Sequence, residues 1–270
     1  MKKTKVIIPA MGLLLLSTAA SITGTVAWFS VNTTVTANGM SVKAKAQEGI
    51  AISNAANGTY NFTAASSKST VAELYPASTI DFDPFLTSVS TNPGQANTQQ
   101  AYSTGAAWVD NNTEAHYVVH DFYIRSSSAS ALTIGSLDVK SVDAKVGGSA
   151  ATQELSKSLR VGVKFDTSSN VYIYGPVTGF TATVSVQNAA GAYDANNRTD
   201  VTALAGNVES NDTSVTTLPS RENNGKHVYV YVWFEGEDAA CISNNLPVSA
   251  EQLDISITFG FTAAQAPANP

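Results

Sequence analysis

Apolar and polar residues alternate along much of this chain with the period of two expected of strands that bury one face. Met40, Val42, Ala44 and Ala46 alternate with Ser41, Lys43 and Lys45, after an offset set made of Val35, Ala37 and Gly39. In 116–125, Tyr117, Val119, Asp121 and Tyr123 oppose Val118, His120, Phe122 and Ile124. Further strands are predicted at 132–139, 159–165, 171–174 and 180–186. The segment 228–234 (VYVYVWF) is entirely β-branched and aromatic, the most strand-prone composition in the chain. Residues 253–261 close the pattern with strict alternation.

Between these runs lie turn-rich segments at 54–69, 92–100, 146–151 and 191–224. The last is longer than a compact domain usually leaves without structure, so it is predicted to hold a short element and an exposed loop. Helical signal is confined to a turn or two at 69–74 and 152–159. Many short strands joined by polar loops predict an all-β fold, an antiparallel β-sandwich of jelly-roll type.

The beginning of the chain breaks this pattern. Lys2, Lys3 and Lys5 precede a run without charge that lasts until Lys43, with an apolar centre followed by small residues at 17–27. A positive start, a short apolar centre and a small-residue exit are the layout of a cleavable signal helix. Pro9 and Gly12 interrupt the apolar part, which is short for a span across roughly 30 Å of hydrocarbon. Cleavage after Ala27 leaves the strand pattern just downstream; Ala19 and Ala20 are the other candidate sites, and a retained anchor is the alternative. The expected organisation is a signal peptide at 1–27, an N-terminal strand at 28–46, a sandwich at 47–262 and a tail at 263–270. Signal peptidase is then a partner during export, the membrane is met only before processing, and the product is secreted or held at the cell surface.

Composition sharpens this picture. Charged residues are only 13% of the chain against 43% hydrophobic, which favours polar-turned strands around a packed core over disorder. Loss of the three leading lysines takes the cationic count from 15 to twelve against 21 acids, so the net charge moves from −6 to −9. Such a surface repels phosphate backbones, and no nucleic-acid partner is expected. Cys241 is the single cysteine, which excludes an intrachain disulfide and zinc sites of paired thiolates.

Candidate chemistry is sparse. His116 and His120 share one strand face but stand roughly 13 Å apart, too far for one ion, and are read as partly exposed. No HExxH occurs. Cys241 follows the acidic run Glu235, Glu237, Asp238, which blunts a thiol, so it is read as a half-buried structural residue. That run, like Asp81 and Asp83, lacks the ligand spacing of a calcium loop and is read as a solvated turn. Tyr229, Tyr231 and Trp233 share one strand face and are read as packing residues. No catalytic residue, metal or cofactor is assigned, and no enzymatic activity is expected. Sequons at Asn57 and Asn61 are compatible with exposed loops and report nothing more.

The signal region ends in Gly24-Thr25-Val26-Ala27-Trp28-Phe29 and runs directly into a Thr/Val-rich strand, VTANGMSVKA. This arrangement resembles secreted proteins processed by SipW-type signal peptidase, the TasA matrix-fibre proteins and the related camelysins. Residues 121–139 resemble the family's strand–turn–strand, and 228–234 with 253–261 are similar to its last two strands. The resemblance implies a structural subunit of an extracellular fibre or biofilm-type matrix, whose freed N-terminus completes the sheet of a neighbouring copy. Its partners would then be copies of itself, in a filament. The assembly residues would be Trp28, Phe29, Val35, Ala37, Met40, Val42 and Ala44. An alternating strand meets the requirement of strand addition, and head-to-tail addition does not close on itself. The same residues also suit an ordinary first strand of their own domain. Two other functional readings stand beside the fibre: a monomeric cell-surface adhesin or carbohydrate-binding sandwich, and a secreted hydrolase.

Overall fold

A computed structural model describes residues 35–68, 72–74, 76–79, 82, 86–89, 101–104, 114–146, 154–180, 183–187, 199–236, 238, 240, 241 and 251–265. The signal region, Trp28, Phe29, Asp81, Asp83 and Glu237 lie outside the described residues. The strands are β1 (Val35–Ala46), β2 (Ile50–Ser53), β3 (Thr63–Lys68), β4 (Ala72–Leu74), β5 (Leu86–Val89), β6 (Ala101–Thr104), β7 (Glu114–Ala115), β8 (Val118–Ser126) and β9 (Leu132–Val146). They continue as β10 (Leu159–Phe165), β11 (Tyr172–Gly175), β12 (Thr183–Gln187), β13 (Thr199–Thr202), β14 (Leu204–Ala205), β15 (Ser210–Asp212), β16 (Thr217–Leu218), β17 (Lys226–Phe234) and β18 (Glu251–Ala263).

Two sheets carry the core. The first runs β15-β9-β18-β1-β4-β7, with β16 added to β9 and β3 to β1; the second runs β14-β11-β10-β17-β8-β2. The pairs β5–β6 and β12–β13 stand apart as two-stranded sheets. The alternating runs named from the sequence each contain a strand; that named at 180–186 is strand from Thr183, with 181 and 182 outside the described residues. The main core cluster is the one in which the apolar parity of β1, β9 and β18 meets that of β8, β10 and β17. Phe165 of β10 meets Phe259 of β18 edge to face across the sandwich, ring centres 6.3 Å apart.

The sandwich is mixed rather than purely antiparallel. β1 runs parallel to β18, β4 to β7 and β11 to β14, while the other pairs are antiparallel. The reason at β1 is connectivity: a short turn makes neighbours antiparallel, whereas the first and last strands of this fold are joined by no turn. The offset at Gly39/Met40 in the sequence coincides with a register irregularity between Ala37 and Met40 against β18. A bulge shifts side-chain parity by one and keeps both apolar sets available to one face.

Two helix expectations part company. Glu154–Ser156 form a single helical turn, whereas 72–74 are strand, because the main chain of Ala72, Glu73 and Leu74 pairs with β1. The long polar segment at 191–224 contributes β13 to β16. One corner depends on a missing side chain. Gly206 lies so close to β9 that a Cβ there would sit 1.9 Å from the Val142 carbonyl oxygen, and its own carbonyl accepts the Val142 N–H at 2.6 Å.

Candidate functional site

β1 is held by main-chain pairing on both sides. Met40, Val42 and Ala44 stand beside Leu253, Ile255 and Ile257 of β18, in parallel, and opposite Lys68, Ser66 and Ala64 of β3. Val35 and Ala37 pair with Leu74 and Ala72 of β4. The N–H of Ala46 reaches the Phe62 carbonyl at 2.8 Å and that of Gln47 reaches Phe259 at 2.9 Å. Even positions of β1 therefore address β3, and odd positions address β18. Met40, Val42 and Ala44 are buried in the core, while Lys43 and Lys45 are exposed on the outer face. The turn into β2 uses Gly49 at φ 95°, a left-handed conformation that side chains disfavour. In the single chain, then, the segment from Met40 onward is fully seated in its own domain. Without it the sheet would be cut between β18 and β3.

The acidic run is not a solvated turn. Glu235 and Asp238 are buried, at 0% and 1% exposure, along with Arg160 of β10. Arg160 Nη2 donates to Asp238 Oδ2 at 2.5 Å, and Nη1 to the carbonyls of Lys157 (2.8 Å) and Leu159 (2.9 Å). Glu235 accepts from Ser78 Oγ at 2.6 Å and from Trp233 Nε1 at 3.2 Å. Buried charges need such partners, and here they fasten Ser78, Glu235 and Asp238 to the second sheet. Cys241 is buried beside them. Burial first, and then the Glu235 and Asp238 charges, push its thiol up to about 12, so it is a poor nucleophile.

His120 is not partly exposed. It lies inside the sandwich at 0% exposure, with Nδ1 3.0 Å from Ser66 Oγ of β3. Asp121, on the other face, meets His227 Nε2 at 2.8 Å. That outer face carries a row of rings. Tyr123 stacks on His227 with centres 4.5 Å apart, His227 meets Tyr229 at 3.9 Å with the rings tilted by 39°, and Tyr229 follows Tyr231 at 6.3 Å. Phe82 closes the row by stacking on Tyr231 at 4.5 Å. Trp233 belongs to a small buried cluster with Phe82, Ala77, Ile173 and Ala203. The packing role read from the sequence holds for Trp233 and for Tyr231, which packs partly buried against the same cluster; Tyr123 and Tyr229 are half-buried. Among the described residues no group of three or more His, Cys, Asp or Glu side chains is placed to hold a metal ion. Asn57 and Asn61 are exposed, as their sequons suggested.

Neither the Arg160 network nor the ring row was legible in the sequence as a unit. Arg160 and Asp238 are 78 residues apart, and nothing near either names the other. Compared with protein-family models, with curated proteins and with solved structures, the chain gives no match.

Proposed function

We propose that this protein is the structural subunit of an extracellular fibre or biofilm-type matrix, exported by a signal helix at 1–27 that signal peptidase removes. The sandwich is of jelly-roll type in this reading. The freed N-terminal segment 28–46 adds head to tail to the sheet of the next copy, giving a secreted or surface-held filament.

One observation carries the reading. Among the described residues the partners of β1 lie at 63–68, 72–74 and 251–259, and the strand joins the domain through a short turn at Gly49. A second copy's β1 could occupy the same slot with the same hydrogen bonds and the same buried Met40, Val42 and Ala44. Exchange therefore trades equal contacts, and its direction is set by concentration and by what Trp28 and Phe29 gain in the assembly.

A disulfide trap tests it. Ser41 and Asp254 are direct neighbours across β1 and β18 on the outer face. Ser41→Cys/Asp254→Cys in residues 28–270, oxidised after assembly, is expected to yield a ladder of linked chains on non-reducing gels, with filaments in negative-stain electron microscopy. Cross-linking wholly within single chains, with monomers on the grid across pH and concentration, would make β1 an ordinary first strand.

The second reading, a surface module that binds carbohydrate, is favoured by the half-buried row of Tyr123, His227, Tyr229 and Tyr231. It predicts retention on an immobilised polysaccharide that Tyr229→Ala abolishes.

A further inference from the structure

Asp212 ends β15, the short strand that lies outermost beside β9 in the first sheet, and it pairs with Leu137, so its side chain turns inward. It is buried at 0% exposure. Its Oδ1 accepts from the Ser214 N–H at 2.9 Å, the Ser214 hydroxyl at 2.6 Å and the Asn170 amide at 3.3 Å. Its Oδ2 has no hydrogen-bond partner. All three donors are neutral, and neutral donors on one oxygen do not cancel the charge of a carboxylate taken out of water. Two other buried carboxylates are treated differently: Asp138 is met by Lys140 at 2.9 Å and Asp238 by Arg160 at 2.5 Å.

Oxygen atoms gather at this corner from both sheets. The Tyr172 hydroxyl comes from β11 and reaches the Asn211 carbonyl at 3.4 Å. Burial first, and then the Asp212 charge, push that hydroxyl up to about 12, as expected of close neighbours. Ser168 shapes the turn before β11: its hydroxyl accepts the Asn170 N–H at 2.9 Å, and the Asn170 side chain then lies against Asp212. A contact of 3.3 Å is long for an N–H···O bond, and turning the amide presents Oδ1 in place of Nδ2. Asn170 and Ser214 are exposed although Asp212 is not, so the carboxylate lies one side chain below the surface. Asp138 and Glu209 already share Lys140, which leaves the corner as a whole acidic.

We propose that this corner binds a calcium ion, with Asp212 Oδ2 as the charged ligand, oxygens of Asn170, Asn211 and Tyr172 beside it, and water in the remaining positions. Every ligand on offer is a hard oxygen, which suits calcium. Magnesium demands a near-octahedral cage, and zinc or copper favour nitrogen or sulfur. Affinity follows the number of charged ligands, and a single carboxylate puts the site in the weak class of extracellular modules, with Kd of about 10⁻⁴–10⁻³ M. The ion ties the turn at 168–170 and β11, in the second sheet, to β15 in the first, whose ladder to β9 spans only Ser210, Asn211 and Asp212. None of these residues takes part in strand addition at β1, so the site does not rest on the fibre reading.

Thermal unfolding of the exported chain, in chelator and then in calcium, tests this. Calcium at about ten times its Kd is expected to raise Tm by roughly 3–6 °C, with magnesium at the same concentration giving clearly less. Asp212→Asn keeps an acceptor for Ser214 and removes the charge, so the calcium response should vanish. In chelator its Tm should equal or exceed that of wild type, because no unpaired charge is left buried. Asn170→Ala, at an exposed position, should shrink the calcium response without unfolding the protein, and so reads the site even if Asp212→Asn does not fold. A wild-type Tm that calcium leaves unmoved overturns the proposal. So does a calcium response that the substituted chains keep in full, since the ion would then sit elsewhere.

Discussion

Replacing Arg160 with methionine is the most informative single perturbation of the fold. The guanidinium is fully buried, as is its partner Asp238, and it makes three hydrogen bonds that methionine cannot. The substitution keeps much of the apolar stem but leaves Asp238 a buried carboxylate without its cation, close to the buried Glu235. Breaking a buried pair in this way costs about 3–5 kcal/mol, because the surviving charge is neither hydrated nor neutralised. For a domain of this size each kcal/mol lowers Tm by roughly 2–4 °C, so a fall of about 6–20 °C is expected. The assay is thermal unfolding followed by circular dichroism, with urea unfolding as a second route to the free energy. Arg160→Met/Asp238→Leu should recover much of the loss, because two apolar groups leave no orphan charge, and the cycle should show coupling of about 2 kcal/mol or more. A loss below about 1 kcal/mol in the single variant would refute the reasoning, since it would mean that water or another cation reaches Asp238.

Other outcomes follow from the same contacts. Met40→Ala, which empties a fully buried site on β1, should cost about 2–5 kcal/mol in urea unfolding, and should also weaken filaments if the strand is exchanged. Gly206→Ala should destabilise by at least about 2 kcal/mol, because its Cβ has no room beside the Val142 carbonyl; calorimetry at neutral pH reads this. Burial pushes the Cys241 thiol up to about 12; burial and the Asp212 charge do the same to the Tyr172 hydroxyl. Both groups are held neutral in the fold, so their stabilisation is complete below about pH 9 and is lost as pH rises towards about 12. Cys241→Ala should flatten the fall in the urea midpoint over that window, and an unchanged slope would show that the thiol is not what titrates. A thiol reagent at pH 8 should leave native Cys241 unmodified and label it on unfolding.

Much of this protein was written into local alternation. The long strands, their buried parity and the offset at Gly39/Met40 follow from a period of two visible in their own residues. Met40, Val42 and Ala44 were named as one apolar row, and they form one. Local pattern also explains the failures at 72–74 and at Glu235–Asp238. A short polar segment carries no record of the partner that will pair with it or bury it. Pairing β1 with β18 joins residues more than two hundred positions apart, so neither the parallel direction nor the place of β1 inside a sheet was readable from its own residues. The burial of His120 has the same origin: alternation put it on the apolar face, but Ser66 comes to it from β3. Sequence alone determined the long alternating strands and which side of each would be buried, because those depend on neighbours along the chain, while the short polar strands β3, β4 and β13 to β16 carry no such record. Tertiary structure alone decided which strands meet, in which direction they run and which charges are sealed in, because those depend on bonds between segments that the chain brings together only when folded.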